Sequence, residues 1–118
     1  MIVLVGQFIA WHMQELKWYQ ILGAQGIYTN HCNPIDVNDR KAGDLIFLKD
    51  TYDTGEPGSI SHVGIYMGEL TINGDTGEWV IDTGGNPEGV KIRKYNNGWW
   101  NGENFYGFGR LKEWDWRL

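Results

Sequence analysis

The sequence predicts an α+β domain, in which an N-terminal helix packs on an antiparallel sheet of about five strands. The chain has 118 residues, which is the size of one domain, and its 42% apolar and 21% charged residues match globular averages. Its 17 glycines and 7 tryptophans indicate tight turns between aromatic-rich strands. A stretch of helical periodicity precedes several short apolar runs. We therefore expect residues 1–118 to form a single domain.

The helix is expected over Phe8–Leu22, where apolar residues favour one side and Gly23 follows as a stop signal. Ala24–Lys41 is expected to be an irregular connector, because turn-forming residues occur at Asn33-Pro34 and Asn38-Asp39.

The sheet is expected after Gly43, where short apolar or alternating runs are separated by polar, glycine-containing turns. These runs are Asp44–Lys49, Ile60–Met67, Glu78–Thr83, Val90–Lys94 and Phe105–Leu111. Asn73–Gly77 is a strong turn signal, and Gly84–Gly89 is expected to turn again. Val90–Lys94 alternates apolar and basic residues, which predicts a strand with one solvent-facing side.

Composition argues against several classes of function. The net charge is −5 and no basic cluster occurs, so nucleic acid is not an expected partner. The chain has 1 cysteine, which excludes an intramolecular disulfide framework and a multi-thiolate zinc site. No known ligand spacing relates His12, His31, Cys32 and His62, so we expect neither a metal nor a cofactor.

No apolar stretch is long enough to span a membrane, and Met1–Ala10 lacks the basic start and cleavage site of a signal peptide.

The most informative segment contains two motifs in order, Gly43-Asp44-Leu45-Ile46-Phe47 and His62-Val63-Gly64-Ile65-Tyr66-Met67-Gly68. In these motifs the chain resembles the NlpC family of cell-wall cysteine peptidases, which have a papain-like α+β fold and hydrolyse amide bonds of the peptidoglycan stem peptide. The resemblance covers about residues 24–111. Ala24–Tyr28, Thr51–Gly55 and Phe105–Leu111 are similar to a branch that is common in lysins of phages and conjugative elements.

The resemblance implies that His62 is the base, because the family's catalytic His opens the same strand motif. It also implies that Asp82 orients the imidazole, at a position where the family usually has a second His. A carboxylate suits this role, since it can accept a hydrogen bond from an imidazole N–H. The residues alone leave purely structural roles open. His62 would then be an ordinary polar residue at a strand start, and Asp82 would cap the turn at Gly84-Gly85.

The nucleophile departs from the family pattern. The resemblance places Val5 where the family has the Cys of an Asp-Cys-Ser-Gly motif, at the N-terminus of a helix that favours a thiolate. Three explanations stay open: a degenerate domain, a nucleophile lying outside this chain, or a different nucleophile. Cys32 is the only thiol of the chain, but its neighbour His31 points to the opposite face if the segment is extended.

Trp99, Trp100 and Tyr66 are the candidate ligand-contacting residues. Trp99 and Trp100 lie in an amide-rich loop, where exposed indoles suit a ligand platform or a partner contact. The alternative is that Trp100 anchors the loop in the core. Trp114 and Trp116 share a face if the C-terminal tail is extended, which suits an added strand or a contact surface.

We therefore expect an NlpC-like peptidase-type domain that is degenerate or truncated at its nucleophile and serves as a binding or interaction module. Its partner would be a peptidoglycan stem peptide or a protein. The alternative is an active cysteine endopeptidase on stem peptides, as in a phage or mobile-element lysin, which uses Cys32 or a nucleophile outside this chain. The resemblance suggests the cell envelope or a phage particle as the location.

Overall fold

The computed structural model describes residues 23–83 and 89–112. The helix predicted over Phe8–Leu22, the Val5 position, most of the Gly84–Gly89 turn and the tail tryptophans lie outside the described residues. The elements are helix α1 (Gly23–His31), strand β1 (Cys32–Ile35), a 3-10 turn (Val37–Asp39), and strands β2 (Leu45–Lys49), β3 (Ile60–Ile72), β4 (Asp75–Thr83), β5 (Val90–Lys94) and β6 (Phe105–Leu111). Within these ranges, no helix has the length and apolarity that crossing a membrane requires.

The predicted α+β class, with a helix packed on about five strands, is wrong. The described residues form mostly sheet, with 6 antiparallel strands in the order β1-β6-β2-β3-β4-β5 and one short helix. The extra strand is β1, which lies in the segment expected to be an irregular connector and pairs with β6 from Cys32↔Leu111 to Ile35↔Phe108. Pro34 lacks an N–H donor, but β1 is an edge strand, where the sheet tolerates proline.

Neighbouring side chains of a strand point to opposite faces of the sheet, and separate apolar clusters lie on the two faces. A third cluster, formed by Met67, Trp79 and Ile81, lies on β3 and β4. On one face, Leu45 and Phe47 of β2 pack with Ile27 of α1; we call this the helix face. On the other face, Ile46 and Leu48 pack with aromatic residues of β3, β6 and the loop before β6; we call this the aromatic face.

The β3–β4 hairpin closes through Asn73 and Gly74, which both have positive φ (52° and 80°) and so form the tight turn that Asn-Gly favours. Because this turn is only two residues long, the two strands extend beyond their predicted ends to Ile72 and Asp75. A one-residue bulge between Tyr66 and Gly68 then shifts the register. An unbroken ladder from the turn would set Asp82 opposite Ile65, which belongs to the other face, so the bulge determines which face Asp82 occupies.

Strand β5 has the predicted bounds, and its exposed side is the apolar one. Val90 is 64% exposed and Ile92 is 41% exposed. Lys91 and Arg93 alternate with them and lie on the aromatic face, since Arg93 pairs with Val80 and Lys91 pairs with Asp82. The alternation of β5 therefore places Arg93 on the same face as His62 and Asp82.

Candidate active site

His62 lies near the start of β3 and pairs with Leu48, which sets its ring on the aromatic face. Its side chain is 25% exposed. The neighbouring Ser61 fixes the start of the strand, because its Oγ accepts from the backbone N–H of Thr51 at 2.8 Å. The imidazole is thus held on a strand and still reachable from solvent.

Asp82 lies on the adjacent strand β4, and its Oδ2 is 2.7 Å from Nε2 of His62. The carboxylate is 1% exposed. An ionised carboxylate only accepts hydrogen bonds, so the proton of a neutral imidazole lies on Nε2. Nδ1 then keeps its lone pair, and among the described residues no side chain occupies it. Within the part of the chain that the structure describes, the arrangement thus orients an imidazole whose Nδ1 is unoccupied.

Arg93 also contacts Asp82, although no sequence motif identifies it. Its Nη2 is 3.3 Å from Oδ2 and 3.4 Å from Oδ1 of the same carboxylate. Its guanidinium lies over the indole of Trp99, 4.7 Å from the ring centroid. The alternation of side chains along β5 predicts that Arg93 and Lys91 share a face. Placing Arg93 beside Asp82 also requires the register between β4 and β5, which the local sequence does not give.

The two tryptophans that precede β6 border the imidazole. The ring centroid of His62 is 5.4 Å from Trp99 and 5.6 Å from Trp100. Asn97 shapes the loop, since its Oδ1 accepts from the backbone N–H groups of both tryptophans at 2.9 and 3.1 Å. Trp99 is half-buried, whereas Trp100 is fully buried in the core of the aromatic face. Of the two, Trp99 is the one that a ligand at His62 can reach.

Gly64 of the His-Val-Gly motif makes room for Trp100. A Cβ at this position would lie 2.7 Å from Cη2 of Trp100 and 2.8 Å from Cγ1 of Val80. Both neighbours are fully buried, so neither has space to move. The glycine of the motif therefore allows the tryptophan to pack directly behind the imidazole.

Cys32 does not meet His62. It lies on β1 and packs on the helix face, whereas His62 lies on the aromatic face. Strands β6 and β2 separate the two residues, which puts them at least about 14 Å apart at the usual strand spacing. Burial raises the pKa of the Cys32 thiol to about 12, and the nearby Asp44 carboxylate adds to this shift. The thiol is therefore protonated at neutral pH and out of reach of the imidazole.

Tyr66 is buried, and its hydroxyl belongs to a polar cluster rather than to the solvent-accessible site at His62. Its hydroxyl donates to Glu78 Oε1, and Nη2 of Arg40 lies 2.7 Å from the same oxygen. Burial raises the pKa of Tyr66 to about 12, together with the hydrogen bond to Glu78. Burial opposes ionisation of Glu78, but hydrogen bonds from Tyr66 and Arg40 hold its pKa below the usual value. This cluster fixes the 3-10 turn to the sheet, because Nη1 of Arg40 also donates to the carbonyl of Val37 at 2.6 Å.

Asp44 is a second buried carboxylate, and its hydrogen bonds stabilise the start of β2. Arg110 binds it through two hydrogen bonds, from Nε to Oδ1 at 2.8 Å and from Nη2 to Oδ2 at 2.9 Å. The backbone N–H of Lys41 adds a third at 2.8 Å. Across residues 23–83 and 89–112, no three His, Cys, Asp or Glu side chains come together as a metal site.

A sequence model described as the NlpC/P60 family matches residues 7–108. The matched range contains His62, Asp82, Arg93 and both site tryptophans. No curated protein and no solved structure gives a significant match.

Proposed function

Because the chain belongs to the NlpC/P60 family, which makes it a cell-wall peptidase-type domain, we propose that it binds peptidoglycan stem peptides beside His62 without cleaving them. The peptide would lie along the half-buried Trp99 and meet Nδ1 of His62, which no described side chain contacts. The backbone N–H groups of the peptide would donate hydrogen bonds to this nitrogen, which is an acceptor when the imidazole is neutral.

The position of the only thiol carries this proposal. The chain has 1 cysteine, and Cys32 packs on the helix face, with two strands between its own strand and β3. A cysteine peptidase needs its thiolate within hydrogen-bond reach of the base. Cys32 is remote from His62 and its thiol has a pKa of about 12, so an imidazole at His62 has no thiol of this chain to activate.

One observation favours the alternative of an active cysteine endopeptidase. His62 and Asp82 form a hydrogen-bonded pair at 2.7 Å, which is the arrangement that orients a catalytic imidazole. Under this alternative, a thiol from outside the chain would approach Nδ1 of His62. The pair is equally suited to hold the imidazole as a fixed hydrogen-bond acceptor for a bound peptide.

The test is a titration of the isotope-labelled full chain with soluble muropeptides, followed by mass spectrometry of the recovered peptide. We expect resonances of His62 and Trp99 to shift while the peptide stays intact. Trp99→Ala should weaken binding, whereas Tyr106→Ala should not, because Tyr106 is an exposed aromatic that contacts Tyr28 of the helix face.

Two outcomes would contradict the proposal. Absence of any shift at millimolar muropeptide would exclude the binding function. Cleaved peptide would support the enzyme instead, and Cys32→Ala then identifies the mechanism: cleavage lost in this variant implicates Cys32, and cleavage retained implicates a reaction without that thiol.

A further inference from the structure

We infer that Arg93 is a positioning residue of this site, which holds the Asp82 carboxylate in the orientation that fixes the His62 imidazole. The inference rests on the proposed function only in taking the His62 face as the functional one. It concerns a residue that the family motifs of β2 and β3 do not contain.

The first support is that one carboxylate serves two partners from two strands. Oδ2 of Asp82 lies 2.7 Å from Nε2 of His62 and 3.3 Å from Nη2 of Arg93. Oδ1 lies 3.4 Å from the same Nη2, so the guanidinium contacts both oxygens. A carboxylate held at both oxygens cannot rotate about its terminal torsion without losing a charge-assisted contact.

The second support is the way Arg93 itself is held. Its guanidinium stacks over Trp99 at 4.7 Å, and the same indole is 5.4 Å from the His62 ring. His62, Asp82, Arg93 and Trp99 therefore form a closed ring of contacts. Planar stacking on an aromatic face fixes a guanidinium in a way that a lysine ammonium does not reproduce.

The surrounding charges make Asp82 depend on Arg93. Lys91 is opposite Asp82 across the β4–β5 pair and shares its face, but it makes no ion pair with the carboxylate. The next charges along that face belong to Arg40 and Glu78, which pair with each other. Of the described cations, Arg93 is thus the one in direct contact with the Asp82 carboxylate.

The experiment measures solvent exchange of the His62 Nε2 proton by NMR in the full chain without ligand. The chain has 3 histidines, and the loss of one signal set in His62→Gln assigns the resonance. Arg93→Gln should accelerate exchange about tenfold or more, because the carboxylate is then free to turn away. Arg93→Lys should give an intermediate rate, since it keeps the charge but loses the planar group that lies over Trp99.

A matched control separates positioning from a general loss of charge or stability. Lys94→Gln removes the same charge from the same strand on the opposite face, where Lys94 pairs with Asp75 at 2.9 Å. It should leave the exchange rate of the Nε2 proton unchanged. Backbone amides of β3 in each variant report unfolding, and only acceleration beyond theirs counts for the inference.

Three results would overturn the inference: a wild-type rate in Arg93→Gln, a full return to the wild-type rate in Arg93→Lys, or equal acceleration in Lys94→Gln. If Arg93→Gln does not fold, Arg93→Lys alone decides, because a folded lysine variant with the wild-type rate excludes a positioning role. The readout involves no peptide. Accelerated exchange without muropeptide binding would therefore contradict the proposed function alone, and binding with unchanged exchange would contradict this inference alone.

Discussion

His62 and Asp82 are 20 residues apart in the chain and 2.7 Å apart at Nε2 and Oδ2. They meet because a tight turn folds β4 back on β3 and because the bulge between Tyr66 and Gly68 shifts the register by one residue. Without that shift Asp82 would belong to the helix face and His62 to the aromatic face. The pair is thus a product of register rather than of local sequence.

We expect Asp82→Asn to lower the free energy of unfolding by about 1–3 kcal/mol, because a buried acceptor of charge-assisted bonds is lost. The matched control is Asp75→Asn. Asp75 also pairs with a cation, Lys94 at 2.9 Å, but its side chain is 58% exposed. Exposed pairs contribute less than about 1 kcal/mol. Urea unfolding of both variants gives the comparison, and an equal loss would mean that burial of Asp82 adds nothing.

Gly64→Ala should destabilise the fold by about 1–3 kcal/mol through overpacking. The added Cβ would lie 2.7 Å from Cη2 of Trp100, in the centre of the aromatic face. Gly107→Ala is the control, since a Cβ there meets nothing within 4 Å. Thermal unfolding followed by tryptophan fluorescence measures both. A Gly64→Ala variant as stable as Gly107→Ala would show that Trp100 does not pack against β3.

Cys32 should react very slowly with a disulfide reagent in the native chain. With a thiol pKa of about 12, only about one molecule in ten thousand carries a thiolate at pH 8. The buried position limits access as well. In urea the single thiol should react fully and quickly. A native reaction as fast as that of the unfolded chain would refute the buried placement.

The polar cluster of Tyr66, Arg40 and Glu78 should stabilise the fold in a pH-dependent way. The pKa of Glu78 is lowered in the folded state, so its contribution is present above the usual carboxyl value and is lost as pH falls through the lowered one. We expect Glu78→Gln to be less stable than wild type at pH 7, and the difference to shrink below about pH 4.5. Glu103→Gln, at an exposed residue of the loop before β6, serves as the control. Urea midpoints across this range test the sign, and a constant difference would contradict it.

The sequence predicted the parts of this structure that depend on local pattern. Strands β5 and β6 have the predicted bounds, since alternation and flanking turns determine them locally. Strand β1 was missed because Asn33 and Pro34 are turn formers, and only pairing with β6 keeps them extended. Resemblance to the family predicts the roles of His62 and Asp82, whereas no motif predicts a role for Arg93. Its role depends on how β3, β4 and β5 are aligned, and a local pattern does not contain that alignment.

The bulge that joins the two site residues should be sensitive to its glycine. Gly68 has φ +75°, a left-handed conformation that glycine adopts far more easily than other residues, and it closes the bulge. In Gly68→Ala the new Cβ would also lie 3.2 Å from Cβ of Ala42. We expect a loss of about 1–2 kcal/mol in the free energy of unfolding. We also expect faster solvent exchange of the His62 Nε2 proton, because relaxing the bulge moves Asp82 away from the imidazole. Gly107→Ala controls for the added methyl group. If Gly68→Ala loses stability but keeps the wild-type exchange rate, the bulge supports the fold and does not hold the His62–Asp82 pair.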